Sequence, residues 1–229
     1  MAPGTLTELS AEVVACRRCA RLVDWREDAA AHPPARFKGQ GYWARPLPGW
    51  GDPRARVLLV GLAPAAHGGN RTGRLFTGDR SGDFLFAALH RTGFVNQPAS
   101  TTADDGLSAH DLYITAVVRC APPANEPLPD ERANCLPFLV REIGLLPELR
   151  VIVPLGAYAW HGALAALRAL GAEPDRRPKF GHLAEATVGR YSLLGSYHPS
   201  QQNTFTGRLT PQMLDEVLAR ARRLAGLDG

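Results

Sequence analysis

The sequence predicts an α/β fold in three layers, with a central four-stranded parallel sheet covered by helices on both faces. Three observations carry that prediction. Short, strand-length apolar segments recur four times, the first of them a continuous run, as strands buried on both faces require. Segments with helical spacing separate them. A length of 229 residues, 45% of them hydrophobic, supplies ample apolar surface for a core.

Taken in order, Leu6 to Val23 reads as a helix, with Thr5 or Thr7 as cap and Cys16 and Cys19 near its end. Residues 26–55 are rich in Pro, Gly and aromatics and read as a long ordered loop. Arg56–Gly61 (RVLLVG) is the first strand. Ser81–Thr92 is a helix whose Phe84, Leu85, Ala88 and Leu89 form an apolar face. Asp111–Val118 is the second strand and Asp130–Leu146 the helix after it. Arg150–Leu155 is the third strand, followed by a helix over Ala157–Leu170. Arg190–Ser196 is the fourth strand. Pro211–Leu224 closes the chain as a helix, with Thr210 as cap and Pro211 at the first helical position. Ligands bind beyond the carboxyl ends of parallel strands. The segments 62–68, 119–125, 156–158 and 197–200 should therefore line one rim.

Composition narrows the setting. The apolar runs Val57–Leu62 and Val151–Leu155 are far too short to span a bilayer. The N-terminus lacks a basic region followed by an apolar block, so a cytoplasmic, reducing compartment is expected and no membrane partner. The net charge is +4, and Lys38 and Lys179 are the only lysines. Arginine thus carries nearly all the positive charge, and its guanidinium forks onto phosphates and stacks on bases. A preference for Arg codons would give the same composition, which permits a nucleic-acid partner without demanding one.

The cysteines are the sharpest signal. Cys16 and Cys19 form C-R-R-C, and Cys120 and Cys135 are the other two. Thiolates two residues apart can turn to one side of a local turn, and folding must bring the second pair to them. Four thiolates satisfy either a structural zinc or a 4Fe-4S cluster. Four unrelated buried residues or a redox dithiol are the other readings.

Two segments carry the remaining chemistry. GLAPAAHGGNRTGRLFTGDRSG, residues 61–82, follows the first strand, and its glycines free backbone N–H groups to face a ligand. Phe76 stands out there, as a stacking platform for a flat base or as a plug on the core. GSYHPSQQNTFTGRLT, residues 195–210, places His198 just past a strand end, where a histidine reads as a site residue.

These two segments, with the cysteine spacing, resemble the iron–sulfur uracil-DNA glycosylases of family 5 (type b). The likeness runs from Cys16 to Thr210. It implies a single domain over 1–229, with an N-terminal cluster-binding helix and a monomeric state. It implies a 4Fe-4S cluster on Cys16, Cys19, Cys120 and Cys135. DNA containing uracil or other deaminated bases such as hypoxanthine is the implied partner, with the damaged base flipped into the strand-end pocket. The base would meet Gly61, Leu62, Ala63, Phe76, Asn125 and His198. Asp79, Asn125 and His198 would act in catalysis. Ser200, Gln201, Gln202, Asn203 and Arg208 would contact DNA.

Departures from related families sharpen the reading. Other uracil glycosylases carry a water-activating Asp or Glu in the first motif, but this chain has Leu62 and Ala63 there. Asp79 is the nearest carboxylate, either stabilising the sugar cation or capping the helix that begins near Ser81. Family 4 places an Asn within the second strand, where this chain has Ala116; Asn125 can take over part of that role. The wedge leucine after H-P-S is replaced in QQN, leaving Gln202 or Phe205 to fill the gap of the flipped base. A non-catalytic iron–sulfur or zinc protein that binds nucleic acid is the alternative.

Overall fold

The computed structural model describes residues 4–174, 176 and 178–228, so the outermost ends of the expected 1–229 span lie outside the described residues. Thr5 opens the first helix with a reciprocal cap: its hydroxyl accepts from Glu8 N at 3.1 Å, and its own N–H donates to the Glu8 carboxylate at 2.7 Å. The expected helix over Leu6–Val23 is in fact two, α1 (Leu6–Val14) and α2 (Ala20–Ala31). The C-R-R-C segment interrupts it. Cys19 leaves helical geometry, with φ −110° and ψ 98°, to become the cap residue of α2. Propensity alone would carry a helix through Arg17 and Arg18; the break turns both cysteines toward one cavity. The loop expected over 26–55 accordingly starts late, after Ala31.

The sheet has six strands: β1 (Trp50–Gly51), β2 (Val57–Gly61), β3 (Leu112–Ala116), β4 (Val151–Pro154), β5 (Glu185–Val188) and β6 (Tyr191–Leu194). Their spatial order is β1-β3-β2-β4-β6-β5. The four predicted strands are its central members, and each neighbouring pair among them is parallel. The strictly four-stranded sheet is corrected by two antiparallel edges, β1 on β3 and β5 on β6. Both edges are short or polar, which hides them from a search for apolar runs and suits an exposed border.

Alternate residues explain why the central strands read as unbroken apolar runs. Leu58, Val60, Ile152 and Leu193 pack with Leu139 and Ile143 of α5 (Pro129–Leu145) and Trp160 and Ala163 of α6 (Ala157–Ala169). Leu59, Ile114 and Val153 pack with Leu85 and Leu89 of one helix, Arg80–Arg91, and Val217 and Leu218 of another, Pro211–Ala225. Each fully buried Leu or Val is worth roughly 1.5–3 kcal/mol, so both faces must be covered. Between these elements lie two short helices, Gly69–Thr72 and Gln201–Phe205. In chain order, the helices Gly69–Thr72, Arg80–Arg91, Gln201–Phe205 and Pro211–Ala225 are α3, α4, α7 and α8. No helix among the described residues is long and apolar enough to cross a membrane.

β2 is followed in the chain by its neighbour on one side, β3, and later by its neighbour on the other, β4. The carboxyl end of β2 is therefore a topological switch point, where ligands bind in open α/β sheets. Residues 61–82 start there.

Candidate functional site

The loop after β2 is anchored by residues that point inward. Arg74 is buried and donates to Thr77 Oγ1 at 3.1 Å, Ser100 Oγ at 2.7 Å and the Asp105 carboxylate at 2.7 Å. With Arg74 and Thr77 fixed inside, Phe76 between them takes a left-handed backbone, φ 57°, a conformation that disfavours side chains beyond Gly. That turn lays its ring across the end of β2. A Cβ on Gly61 would sit 2.7 Å from Phe76 Cζ, so Gly61 serves as the floor beneath the ring rather than as a wall of the pocket. A side chain at Gly82 would collide with the Phe76 carbonyl.

A cavity opens against this ring, lined by Leu62, Ala63, Phe76, Asp79, Asn125, His198, Ser200, Gln201 and Gln202. Residues from three of the four predicted rim segments meet there. The fourth, at Gly156, lies behind His198: a Cβ on Gly156 would stand 3.3 Å from His198 Cβ. The His198 ring faces Phe76, with centroids 6.3 Å apart and a tilt of 35°. Burial pushes its pKa down to about 4, so the imidazole is neutral near pH 7 and can donate a proton in a hydrogen bond. Its backbone carbonyl accepts from Asn203 Nδ2 at 2.9 Å. The Asn203 amide thus holds the H-P-S loop from within.

Asn125 ends a tight turn in which Ala124 and Asn125 both have positive φ, 53° and 59°. Two such residues in succession cost roughly 1–2 kcal/mol each, and they carry the amide to the cavity mouth, where it is exposed. Asp79 is the cap of α4, its Oδ1 accepting from Gly82 N at 2.9 Å. It also lines the cavity. Burial raises its pKa, and the backbone N–H groups of Gly82 and Ser81 pull it back down by favouring the carboxylate. Leu62 and Ala63 add only apolar wall. Phe205, on α7, is 68% exposed with the Arg80 guanidinium 5.6 Å from its ring centre. Arg208 lies over the Tyr197 ring at 4.8 Å, and the described residues offer it no carboxylate partner.

A second constellation gathers the cysteines. Cys16, Cys19, Cys120 and Cys135 line one small cavity where the α1–α2 junction meets α5 and the segment after β3. Among the described residues no three His, Cys, Asp or Glu side chains form a group that could hold a single metal ion. The chemistry of the donors nonetheless fits a thiolate-bound metal centre. Burial pushes the Cys120 thiol up to about 12 and also raises Cys135, so a bound cation is what would make their thiolates favourable. N–H donors already face sulfur: Arg26 Nη1 lies 3.0 Å from Cys120 Sγ, and Asn134 Nδ2 lies 3.4 Å from Cys19 Sγ.

Sequence reasoning left out Arg36, Phe37 and Trp25, which with His67 of the predicted rim segment 62–68 build a second hollow beside the first. The signal for the three was an Arg–aromatic pair, Arg36–Phe37, in a loop that showed no periodicity.

Comparison with known proteins gives this geometry its context. The model of the uracil DNA glycosylase superfamily matches residues 48–222. The type-5 uracil-DNA glycosylase of Mycobacterium tuberculosis is 55% identical, over 98% of this chain and 84% of that protein. That of Thermus thermophilus is 52% identical, over 94% of this chain and 96% of its own. That of Pyrobaculum aerophilum is 46% identical, over 93% and 91%.

Proposed function

The chain belongs to the type-5 branch of the uracil DNA glycosylase superfamily, and from that premise we propose how its residues release a base. It is a DNA repair glycosylase that hydrolyses the N-glycosidic bond of uracil and leaves an abasic site. The base departs as an anion while the sugar approaches an oxocarbenium ion, so both charges need stabilisation. One observation supports the reading above the others: a neutral imidazole, His198, facing an aromatic ring, Phe76, at the carboxyl end of β2.

Phe76 stacks on the flipped base. The His198 N–H donates to the base oxygen that gains charge, a contact worth most in the transition state. Asn125 presents its amide to the base edge from the mouth. Asp79 faces the sugar, with one oxygen held by Gly82 N–H, and stabilises the cation or orients water. Leu62 and Ala63 cannot polarise water, so leaving-group stabilisation carries more of the barrier than general-base chemistry. The strand position filled by Asn in family 4 is Ala116, buried in β3. Without that in-strand amide, discrimination should loosen enough to admit hypoxanthine.

Ser200, Gln201, Gln202 and Arg208 approach the DNA backbone, with Gln202 or Phe205 entering the gap left by the flipped nucleotide. The protein works as a monomer and a single domain in the cytoplasm. Cys16, Cys19, Cys120 and Cys135 hold a 4Fe-4S cluster whose contribution is structural. The test is single-turnover incubation with a uracil-containing oligonucleotide, scoring alkali-labile abasic sites. Binding without abasic sites, by protein loaded with its metal, would establish the non-catalytic alternative instead.

A further inference from the structure

The segment between α2 and β1 takes no part in the chemistry above, yet it walls a second hollow beside the base pocket. Ala65, Asp79 and Asn125 line both spaces, whereas Arg36, Phe37 and His67 line only the second. This wall is built in advance of any ligand. Trp43 N donates to Arg71 O and Ala44 N to Asn70 O, each at 3.0 Å. Tyr42 Oη lies 2.9 Å from His67 Nδ1. The Phe37 ring carries two guanidiniums, with Arg71 4.3 Å and Arg36 4.7 Å from its centre.

Neither guanidinium of this wall is ion-paired with a carboxylate among the described residues. Arg71 donates to three neutral acceptors, His67 O, Gln40 Oε1 and Gly78 O. Arg36 meets no carboxylate among the described residues. The carboxylates of the hollow, Asp79 and Asp83, line it along with Gly78 and Arg80. With Nδ1 engaged by the Tyr42 hydroxyl, His67 has its Nε2 left for a ligand. Trp25, which also lines the hollow, has an indole N–H without a partner among the described residues. Guanidiniums without an ion-pair partner, beside an N–H without an acceptor, favour an anion.

We propose that this hollow grips a backbone phosphate of the DNA strand beside the flipped nucleotide, across Asp79 and Asn125 from Ser200, through Arg36 and His67. The proposal rests on the glycosylase reading. It gives the strand two holds, one on each side of the pocket, so that the nucleotide between them is presented for flipping.

The experiment uses the full-length holoprotein and a duplex with a single non-hydrolysable 2′-fluoro-deoxyuridine. Affinity is measured across a salt series and again with one neutral methylphosphonate stepped along the uracil strand. Arg36→Gln should weaken binding about fivefold and lower the salt slope by about one. One methylphosphonate position should weaken the wild type but leave Arg36→Gln unaffected, and His67→Gln should respond to the same position. Arg168→Gln, at the far end of α6 and paired with Glu173, is the control and keeps the wild-type slope. Coincident slopes for wild type and Arg36→Gln, with no discriminating linkage, would overturn the proposal. So would a discrimination that appears only when a neighbouring base, not its phosphate, is removed. Uracil release by the wild type is scored in parallel. Its failure sinks the glycosylase reading, while normal release with coincident slopes sinks only the phosphate grip.

Discussion

The cysteine cavity and the base pocket share the segment after β3, which supplies Cys120 to one and Asn125 to the other, yet they treat polar groups in opposite ways. Around the cysteines, a buried ion pair is matched, although the Nε atoms of Arg26 and Arg119 have no partner among the described residues. Arg119 and Glu142 are 1% and 2% exposed, Arg119 donates from Nη1 to Glu142 Oε1 at 2.9 Å and from Nη2 to Oε2 at 2.5 Å, and Glu142 also accepts from Thr115 Oγ1 at 2.7 Å and Gly49 N at 3.2 Å. Arg21 pairs with Glu131 beside them. In the base pocket, neither the His198 ring nor the Asn125 amide has a hydrogen bond to another described side chain. Polar groups that line the pocket without a protein partner are available to a ligand, whereas the ion-paired network around the cysteines ties the fold together.

That contrast is open to attack, first at the cysteines. Cys120→Ser should cost most of the soluble folded protein and its iron, because the site joins the α1–α2 junction to the segment after β3; wild-type melting with full iron content would refute it. Next comes Glu142→Gln, which strands the Arg119 charge in the interior. Breaking one side of such a pair costs about 3–5 kcal/mol. A urea titration showing a loss under about 1 kcal/mol would mean that the matched network holds nothing.

The pocket should respond in chemistry before stability. His198→Ala removes a donor that acts in the transition state, so the single-turnover rate should fall about a hundredfold or more, roughly 3 kcal/mol, with DNA binding less affected. Its pH signature has a definite sign. The folded pKa, about 4, lies below the ordinary value of 6.5, so the unfolded chain takes up the proton first. This contribution to stability is complete above about pH 6.5 and is lost as pH falls toward 4. The imidazole resonances should titrate with a midpoint near 4, and His198→Ala should remove that part of the acid instability. A midpoint near 6.5 would show a solvated, ordinary histidine. Smallest is Asp79→Asn. Asn caps helices as well as Asp, so melting should stay within about 0.5 kcal/mol of wild type. A charge that faces the sugar predicts at least roughly tenfold slower single turnover; equal rates would leave Asp79 as a cap alone.

How much was legible follows the same physics. β2, β3, β4 and β6 announce themselves because burial demands mostly apolar sequence, unbroken in β2 and β4 and interrupted by Thr115 in β3 and Ser192 in β6. β1 has two residues and β5 alternates toward solvent, so neither leaves a run to find. The break at C-R-R-C was invisible because Arg17 and Arg18 are good helix formers and the reason to stop is tertiary. In the site, Phe76, Asp79, Asn125, His198 and the Ser200–Gln202 turn were readable as conspicuous residue types just past strand ends, and the structure brings them together. That Gly61 lies under the Phe76 ring and that Asn203 ties the His198 carbonyl were not legible, since what a residue carries does not reveal which way it points. The Arg36–His67 wall was missed because Arg36 lies in a loop without periodicity, and only folding brings that loop against His67, about thirty residues on in the segment after β2.

Asn70 draws these regions into one unit. Its buried Nδ2 donates to the Arg26 carbonyl at 3.1 Å and to the Ala66 carbonyl at 3.3 Å, while Arg26 reaches Cys120. The loop that shapes the pocket is thereby fastened to the helix that follows the cysteines. In native-state hydrogen exchange, the amides of α2 and of residues 69–73 should open together and rarely, as one foldon. The amides of α7, a five-residue helix with no buried side chain, should exchange far sooner. The enzyme would then search DNA with a mobile tip on a base that yields only when the whole domain does.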